Sequence, residues 1–248
     1  MANGFSAGRP LAVPGPPSAL SVPMDDSQFP AELPVFPLTG VLLLPGMVLP
    51  LHVFEPRYRN MVARALAGGG HIGMIQPVVP GQDNRPQPGA ELETPALYPV
   101  GCAGRIEHCE ETPDGRYLIH LVGAIRFRVA AELPLREGYR RVRADYGDFA
   151  ADLAGGGPPM PTQTGALLEA LGDYGRRRAM QYQPAGPADL PPDQLVNGLA
   201  MSLPFAPPEK QALLEAVDLP ARTELLIALL RMDPGEDPEN ASTPAKPH

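Results

Sequence analysis

The sequence predicts an α+β protein: a mostly antiparallel barrel or sandwich with one inserted helix, followed by a bundle of short helices. Three observations carry this. Between Leu33 and Gly70 the apolar spacing switches from alternation to helical periodicity at Pro56. Val100 to Ala130 reads as one long alternating hairpin. Beyond residue 163 the apolar residues recur at helical spacing, with prolines where helices start.

In chain order, residues 1–30 are rich in Pro, Gly, Ser and Ala and are expected to be disordered. Segment 33–54 reads as two or three short strands with turns at Thr39-Gly40 and Pro45-Gly46. Its prolines at 34, 37, 45 and 50 confine those strands to edges, ends or bulges. Leu49, Leu51 and Val53 share one face, with His52 and Phe54 on the other. Glu55 stands where an N-cap or first-turn acid is wanted, and Pro56 suits the first helical position because its missing N–H needs no partner there. Tyr58, Met61, Val62, Ala65 and Leu66 then follow at helical spacing until Gly68–Gly70 end the helix.

His71 to Pro77 is a short buried strand, and residues 80–95 form a polar Pro/Gly loop. The hairpin turns at Pro113-Asp114-Gly115. In its second arm Ile119, Leu121, Gly123, Ile125, Phe127 and Val129 form one face, and His120, Arg126 and Arg128 fall on the other. Gly123 in mid-strand marks a bulge or tight bend. Tyr139 to Tyr146 alternates again, with Val142, Ala144 and Tyr146 inward. Helices are expected after Thr164, which would cap the first, and from Pro192, Pro208 and Pro220. The resulting division is a tail (1–30), a barrel (31–150), a linker (151–162, around Gly155–Pro159), a helical bundle (163–232) and an acidic tail (233–248).

The 34 prolines and 26 glycines, nearly a quarter of 248 residues, imply short elements and many turns. Of the net charge of −8, residues 31–232 carry only −4. A mildly acidic body argues against nucleic acid and anionic membranes as partners. Two cysteines, Cys102 and Cys109, do not make a disulfide framework. No segment has the length of a membrane span or the form of a signal peptide, so a cytoplasmic protein is expected.

The chemistry is sparse. No Gly-rich stretch is followed by Lys and Ser/Thr, and the two lysines are Lys210 and Lys246. Ser202 and Lys210 are eight residues apart, but the plain reading is a helix-terminal serine and a solvated lysine. Cys102, His108, Cys109 and His120 could bring two or three soft ligands together across the hairpin. They lack the tight pairs of a closed zinc site and read as buried thiols and a cross-strand histidine, so no metal and no cofactor is expected. Arg126 and Arg128, with Arg140, Arg141 and Arg143, could form a basic patch, but Glu132, Glu137 and Asp145 make it a mixed ion-pair surface.

The run LPVFPL…LLLPGMVLPLHVFEPRYRNMV resembles the opening of the Lon protease N-terminal, substrate-binding domain, including its FEPRY element at Phe54–Tyr58. YPVGCAGRIEHCEETPDGRYLIHLVGAIRFRV is similar to its later strands, and LVNGLAMSLPFAPPEKQALLEAVDLPARTELLIALL to its helical portion. The resemblance spans about residues 31–232 and implies a PUA-like β-barrel with an inserted helix and a helical bundle. In the full protease this domain precedes an ATPase and a Ser–Lys protease domain, and neither motif occurs in this sequence. The resemblance therefore implies a stand-alone, non-catalytic module of protein quality control that engages unfolded or degron-bearing polypeptide. The related fold in cereblon, a ubiquitin-ligase substrate receptor, points the same way. Expected partners are polypeptide segments or a folded protein, including a separate ATP-dependent protease. Phe54, Arg57 and Tyr58 are the expected binding surface, with Arg126 and Arg128 as a second group. RNA binding, because PUA-like barrels include RNA readers, and a peptidase-like hydrolase are the alternatives.

Overall fold

The computed structural model describes residues 29–78, 95–154, 161–178 and 190–233. The expected tails, the 80–95 loop and the Gly155–Pro159 linker lie wholly or largely outside the described residues. Along the chain run β1 (Glu32–Pro37), β2 (Val48–Val53), α1 (Pro56–Ala67), β3 (His71–Ile75), β4 (Val100–Glu111), β5 (Tyr117–Arg136) and β6 (Tyr139–Asp145). A 3-10 segment (Gly147–Ala154) follows, then α2 (Pro161–Arg177), α3 (Pro192–Ser202), α4 (Pro207–Glu215) and α5 (Leu219–Met232).

The six strands form one mixed sheet in the order β2-β5-β4-β3-β1-β6, and a further β5–β6 pairing closes five of them into a ring. β1 and β3 are parallel, with α1 in the connection between them, and the other pairs are antiparallel. β5 makes closure possible by its length of 20 residues. Its first part pairs with both β2 and β4; from Arg128 onward it pairs with β6. It bends at a register shift beside Gly104 and Gly123. A Cβ at Gly123 would lie 2.2 Å from the Leu44 carbonyl oxygen, so only glycine fits there. Phe127 fills the interior against Gly73 and Gly101, where a Cβ would come within 3.0 Å of its ring.

α1 begins as its sequence directs. The Glu55 carbonyl accepts the N–H groups of Tyr58 (3.0 Å) and Arg59 (2.9 Å), and Pro56 opens the first turn. Glu55 makes no side-chain cap. Tyr58, Met61, Val62 and Ala65 are buried, whereas Leu66, expected with them, is exposed at the margin of the apolar stripe. β5 runs six residues past the expected strand end at Ala130 and turns at Glu137-Gly138, both with positive φ (50° and 87°). α2 starts at Pro161, so Thr164 lies inside it, and it continues through Gly175. α4 and α5 start at Pro207 and Leu219, each one residue before the expected proline. Asp218 caps α5 by accepting the Ala221 N–H at 2.8 Å.

Leu167, Leu171 and Tyr174 of α2 and Leu226, Ile227 and Leu230 of α5 belong to the same hydrophobic cluster as the barrel interior. Buried polar side chains tie the helices to the sheet. Gln76 at the end of β3 accepts from the Gly40 N–H (2.9 Å) and donates to the Pro207 carbonyl (3.1 Å). Gln211 of α4 donates to the Val100 carbonyl at 3.0 Å. Arg222 of α5 donates to the Leu213 carbonyl (2.8 Å) and to Asn197 Oδ1 (3.0 Å). Burial, followed by the nearby Arg126 charge, lowers the Arg222 pKa to about 10.

Candidate functional site

The turn from β2 into α1 sorts the expected binding residues by the side of the strand they fall on. Val53 is buried and registers with Tyr117, so Phe54 emerges on the outer surface, 57% exposed, its ring 5.9 Å from that of His52. Glu55 takes the Arg57 guanidinium through Nε at 2.9 Å, and that guanidinium also lies 4.6 Å from the Tyr58 ring centroid. Tyr58 is buried against Phe36, ring centroids 4.1 Å apart, and burial raises its phenol pKa. Arg57 and Tyr58 thus come together as a stacked pair; Tyr58 belongs to the core and Phe54 to the surface.

Arg126 corrects the sequence reading. Its position in the alternation is outward, yet it is only 3% exposed, because the 3-10 segment and the end of α4 cover that face. Its Nε and Nη2 reach Asp152 at 2.9 and 2.8 Å, and its Nη1 donates to the Leu214 carbonyl at 3.0 Å. It is a structural tie, not a binding surface. Arg128 is exposed and paired with Asp148 at 3.0 Å. Arg126 lies nine residues along β5 from Tyr117, roughly 30 Å of strand, so the two expected groups do not form one surface. Arg140 forks onto Glu132 (both bonds 2.7 Å), and Arg141 meets Glu32 at 3.0 Å. These pairs leave little of a basic patch.

The exposed apolar groups gather on the outer face of β2 and its neighbour. Val48 (52% exposed), Pro50 and His52 alternate outward on β2, and Leu118 (40% exposed) registers beside His52 on β5. Among the described residues β2 has a strand neighbour on one side only. The Gly123 N–H bonds the Met47 carbonyl, which fixes the ladder's phase. Leu49, Leu51 and Val53 then point their backbone groups at β5, and Val48, Pro50 and His52 point theirs at the free edge. Pro50 has no N–H, so this edge can pair a short added segment at Val48 or His52 but not a continuous long strand.

A second feature was missed in the sequence. A cleft of about 340 Å³ opens between the start of β1, the end of α1 and the β5–β6 turn, lined by Glu32, Arg64, His71, Arg136, Tyr139 and Arg141 among others. Arg64 pairs with Glu137 at 2.7 Å across its rim. Burial, then the Arg105 charge, lowers the His71 pKa. The residues come from segments over a hundred positions apart, which no local motif signals. They can attract a carboxylate, but their chemistry includes no nucleophile beside a base.

The lysine, serine and cysteine candidates do not assemble into a catalytic group. Lys210 is buried rather than solvated: its Nζ donates to the Met201 carbonyl at 2.9 Å, and desolvation lowers its pKa. Ser202 is exposed at the end of α3. Cys102 is fully buried and burial pushes its thiol pKa up, as it does, less completely, for Cys109. Among the described residues no three His, Cys, Asp or Glu side chains gather as a metal cage, and no helix is long and apolar enough to cross a membrane.

These surfaces define a class of protein: a small closed barrel with attached helices that presents a strand edge, exposed apolar side chains and a cationic cleft. Within that class the chain belongs to the family of the ATP-dependent protease La (LON) substrate-binding domain, whose profile matches residues 32–232. It is 28% identical over 230 residues to Lon protease 2 of Myxococcus xanthus, covering 86% of this chain and 25% of that protein. It is 25% identical over 217 residues to the Lon protease of Roseiflexus castenholzii, covering 84% of this chain and 25% of that protein. The chain thus spans about a quarter of these relatives' length. Among solved structures it shares its fold with a Lon N-terminal domain protein from Xanthomonas campestris (TM-score 0.55, 24% identity, 79% of this chain and 97% of that one). The N-terminal domain of the Mycobacterium avium complex Lon protease is also similar (TM-score 0.54, 18% identity, 81% of this chain and 98% of that one).

Proposed function

We propose that this chain is a non-catalytic module that binds exposed or unfolded polypeptide segments and presents them to a protein partner, such as an ATP-dependent protease. The family match over residues 32–232 carries the reading, since that family is a substrate-binding domain. The closed strand ring fits the PUA-like barrel that the resemblance implies, and α2–α5 fit its helical bundle. The docking surface is the outer face and free edge of β2. Val48, Phe54 and Leu118 supply apolar contact there, and Val48 and His52 supply backbone groups for a short added segment. Two free thiols and the absence of a disulfide framework suit a cytoplasmic location.

Fluorescence anisotropy with a labelled, permanently unfolded polypeptide tests this. Saturable binding is expected, weakened on the order of tenfold in a Phe54→Ala/Leu118→Ala variant, because truncating two buried apolar anchors removes about 1–3 kcal/mol. Val217, exposed on the helical side, serves as the control: Val217→Ala should bind as the parent does. Equal affinity for all three proteins would place the polypeptide elsewhere; no binding at all would refute the function.

A further inference from the structure

Three of the chain's five histidines fall on one outward face of adjacent strands: His52 on β2, His120 on β5 and His108 on β4. His120 is the centre of the group, registered with Pro50 on one side and His108 on the other. The His108–His120 alignment depends on a bulge. Ile106 pairs with Leu121 and the next pair is His108 with His120, so Glu107 is the extra residue. Without it, Glu107 would stand opposite His120. The bulge also turns Cys109 to the other face, opposite Ile119, which removes it as a ligand.

Both imidazoles are exposed, and neither is engaged in a hydrogen bond or ion pair among the described residues. Their ring centroids are 5.2 Å apart, with the planes at 42°. That separation is informative. An imidazole bound to zinc at about 2.0–2.1 Å has its centroid roughly 3.2 Å from the ion, so two on a tetrahedral ion stand about 5.2 Å apart. Strand register thus holds the two rings at a centroid spacing that two imidazoles on one ion would also have.

We propose that His108 and His120 form a two-imidazole binding site for a borderline divalent transition ion, Zn²⁺, Ni²⁺ or Cu²⁺, with water filling the other positions. Paired imidazoles select these ions over Mg²⁺ and Ca²⁺, which require oxygen ligands. Among the described residues no third His, Cys, Asp or Glu completes a cage, so the site is open and exchangeable rather than a closed structural centre. Cu²⁺ should bind more tightly than Zn²⁺. The site stands on its own geometry and does not depend on the polypeptide-binding reading.

The test is titration of the full, untagged chain with each ion in a non-coordinating buffer, followed by calorimetry and by competition with a chromogenic chelator. One ion per chain is expected, with the protein's oligomeric state unchanged. His108→Ala and His120→Ala should each weaken binding on the order of tenfold or more, because the second ligand no longer acts at high effective concentration. Both residues are exposed, so circular dichroism should show either variant folded. Cys109→Ser and His248→Ala should bind as the parent does. Three results would overturn the proposal: histidine variants that bind like the parent, no saturable binding at about millimolar ion, or an ion held only between two copies of the chain.

Discussion

Replacing Asp152 with alanine is expected to uncouple the barrel from its helices. Asp152 accepts from the Arg126 side chain at both carboxylate oxygens and from the Arg126 backbone N–H at 2.9 Å, and the two side chains are 4% and 9% exposed. Truncating one partner of such a pair leaves a buried charge without compensation, which costs about 3–5 kcal/mol. The upper part of that range applies here. Arg222, itself buried, lies close enough for its pKa to be lowered by Arg126 and raised by Asp152, so losing the carboxylate leaves two neighbouring cations. Against a typical domain stability of about 5–15 kcal/mol, the loss is roughly a quarter or more. Urea unfolding followed by far-ultraviolet circular dichroism measures it; the chain has no tryptophan to report by fluorescence. Arg126→Met in the Asp152→Ala background should restore part of the stability by removing the stranded cation. A single Asp152→Ala variant within about 0.5 kcal/mol of the parent would refute the reasoning, since that is the range of an ordinary surface substitution.

Gly123→Ala should destabilise by about 1–3 kcal/mol or more, or yield insoluble protein, because the new methyl would meet the Leu44 carbonyl; the same urea assay reads this. Glu137→Asn should stabilise by a few tenths of a kcal/mol: left-handed backbone costs glutamate about 1–2 kcal/mol and asparagine less, whereas the pair with Arg64 is exposed and screened by solvent. A lower melting temperature for that variant would contradict it. Burial raises the Tyr146 pKa above its ordinary value of 10.0, so folding favours the protonated phenol. Its contribution is fully present below pH 10 and declines above it, as the unfolded chain ionises first. Tyr146→Phe should lose about 0.5–1.5 kcal/mol at neutral pH with the bond to the Pro30 carbonyl, yet show a shallower alkaline decline in pH-resolved melting.

Local signals carried much of the fold. Pro56 and Pro192 open helices where their missing N–H groups predict, and the face of Ile119, Leu121, Ile125 and Phe127 is buried as its alternation requires. What escaped reading depends on partners distant in sequence. Arg126 looks outward by parity, and only Asp152 and carbonyls at and just beyond the end of α4, 26 to 91 residues later, make it interior. Lys210 looks like a first-turn surface lysine until the Met201 carbonyl is brought to it. Glu137-Gly138 was missed because glutamate is a poor residue for a left-handed turn, so the dipeptide does not advertise the end of β5. Of the expected binding residues, Phe54 could be placed from strand parity alone. The cationic cleft could not, since Glu32, Arg64 and Arg141 meet only when the ring closes.

That closure has a consequence for biosynthesis. β1 lies between β3 and β6 in the ring, and its pairing with β6 joins residues 32–35 to residues 140–143. Roughly a hundred residues separate them, which at about 5–20 residues per second means that β1 emerges from the ribosome some 5–20 seconds before β6 exists. The β4–β5 hairpin, made of neighbouring segments, can assemble within that interval, whereas Leu33, Val35 and Phe36 must wait with one edge unfilled. The nascent chain is therefore most vulnerable to misassembly just before Tyr139–Asp145 is made, and chaperone capture should peak at that length.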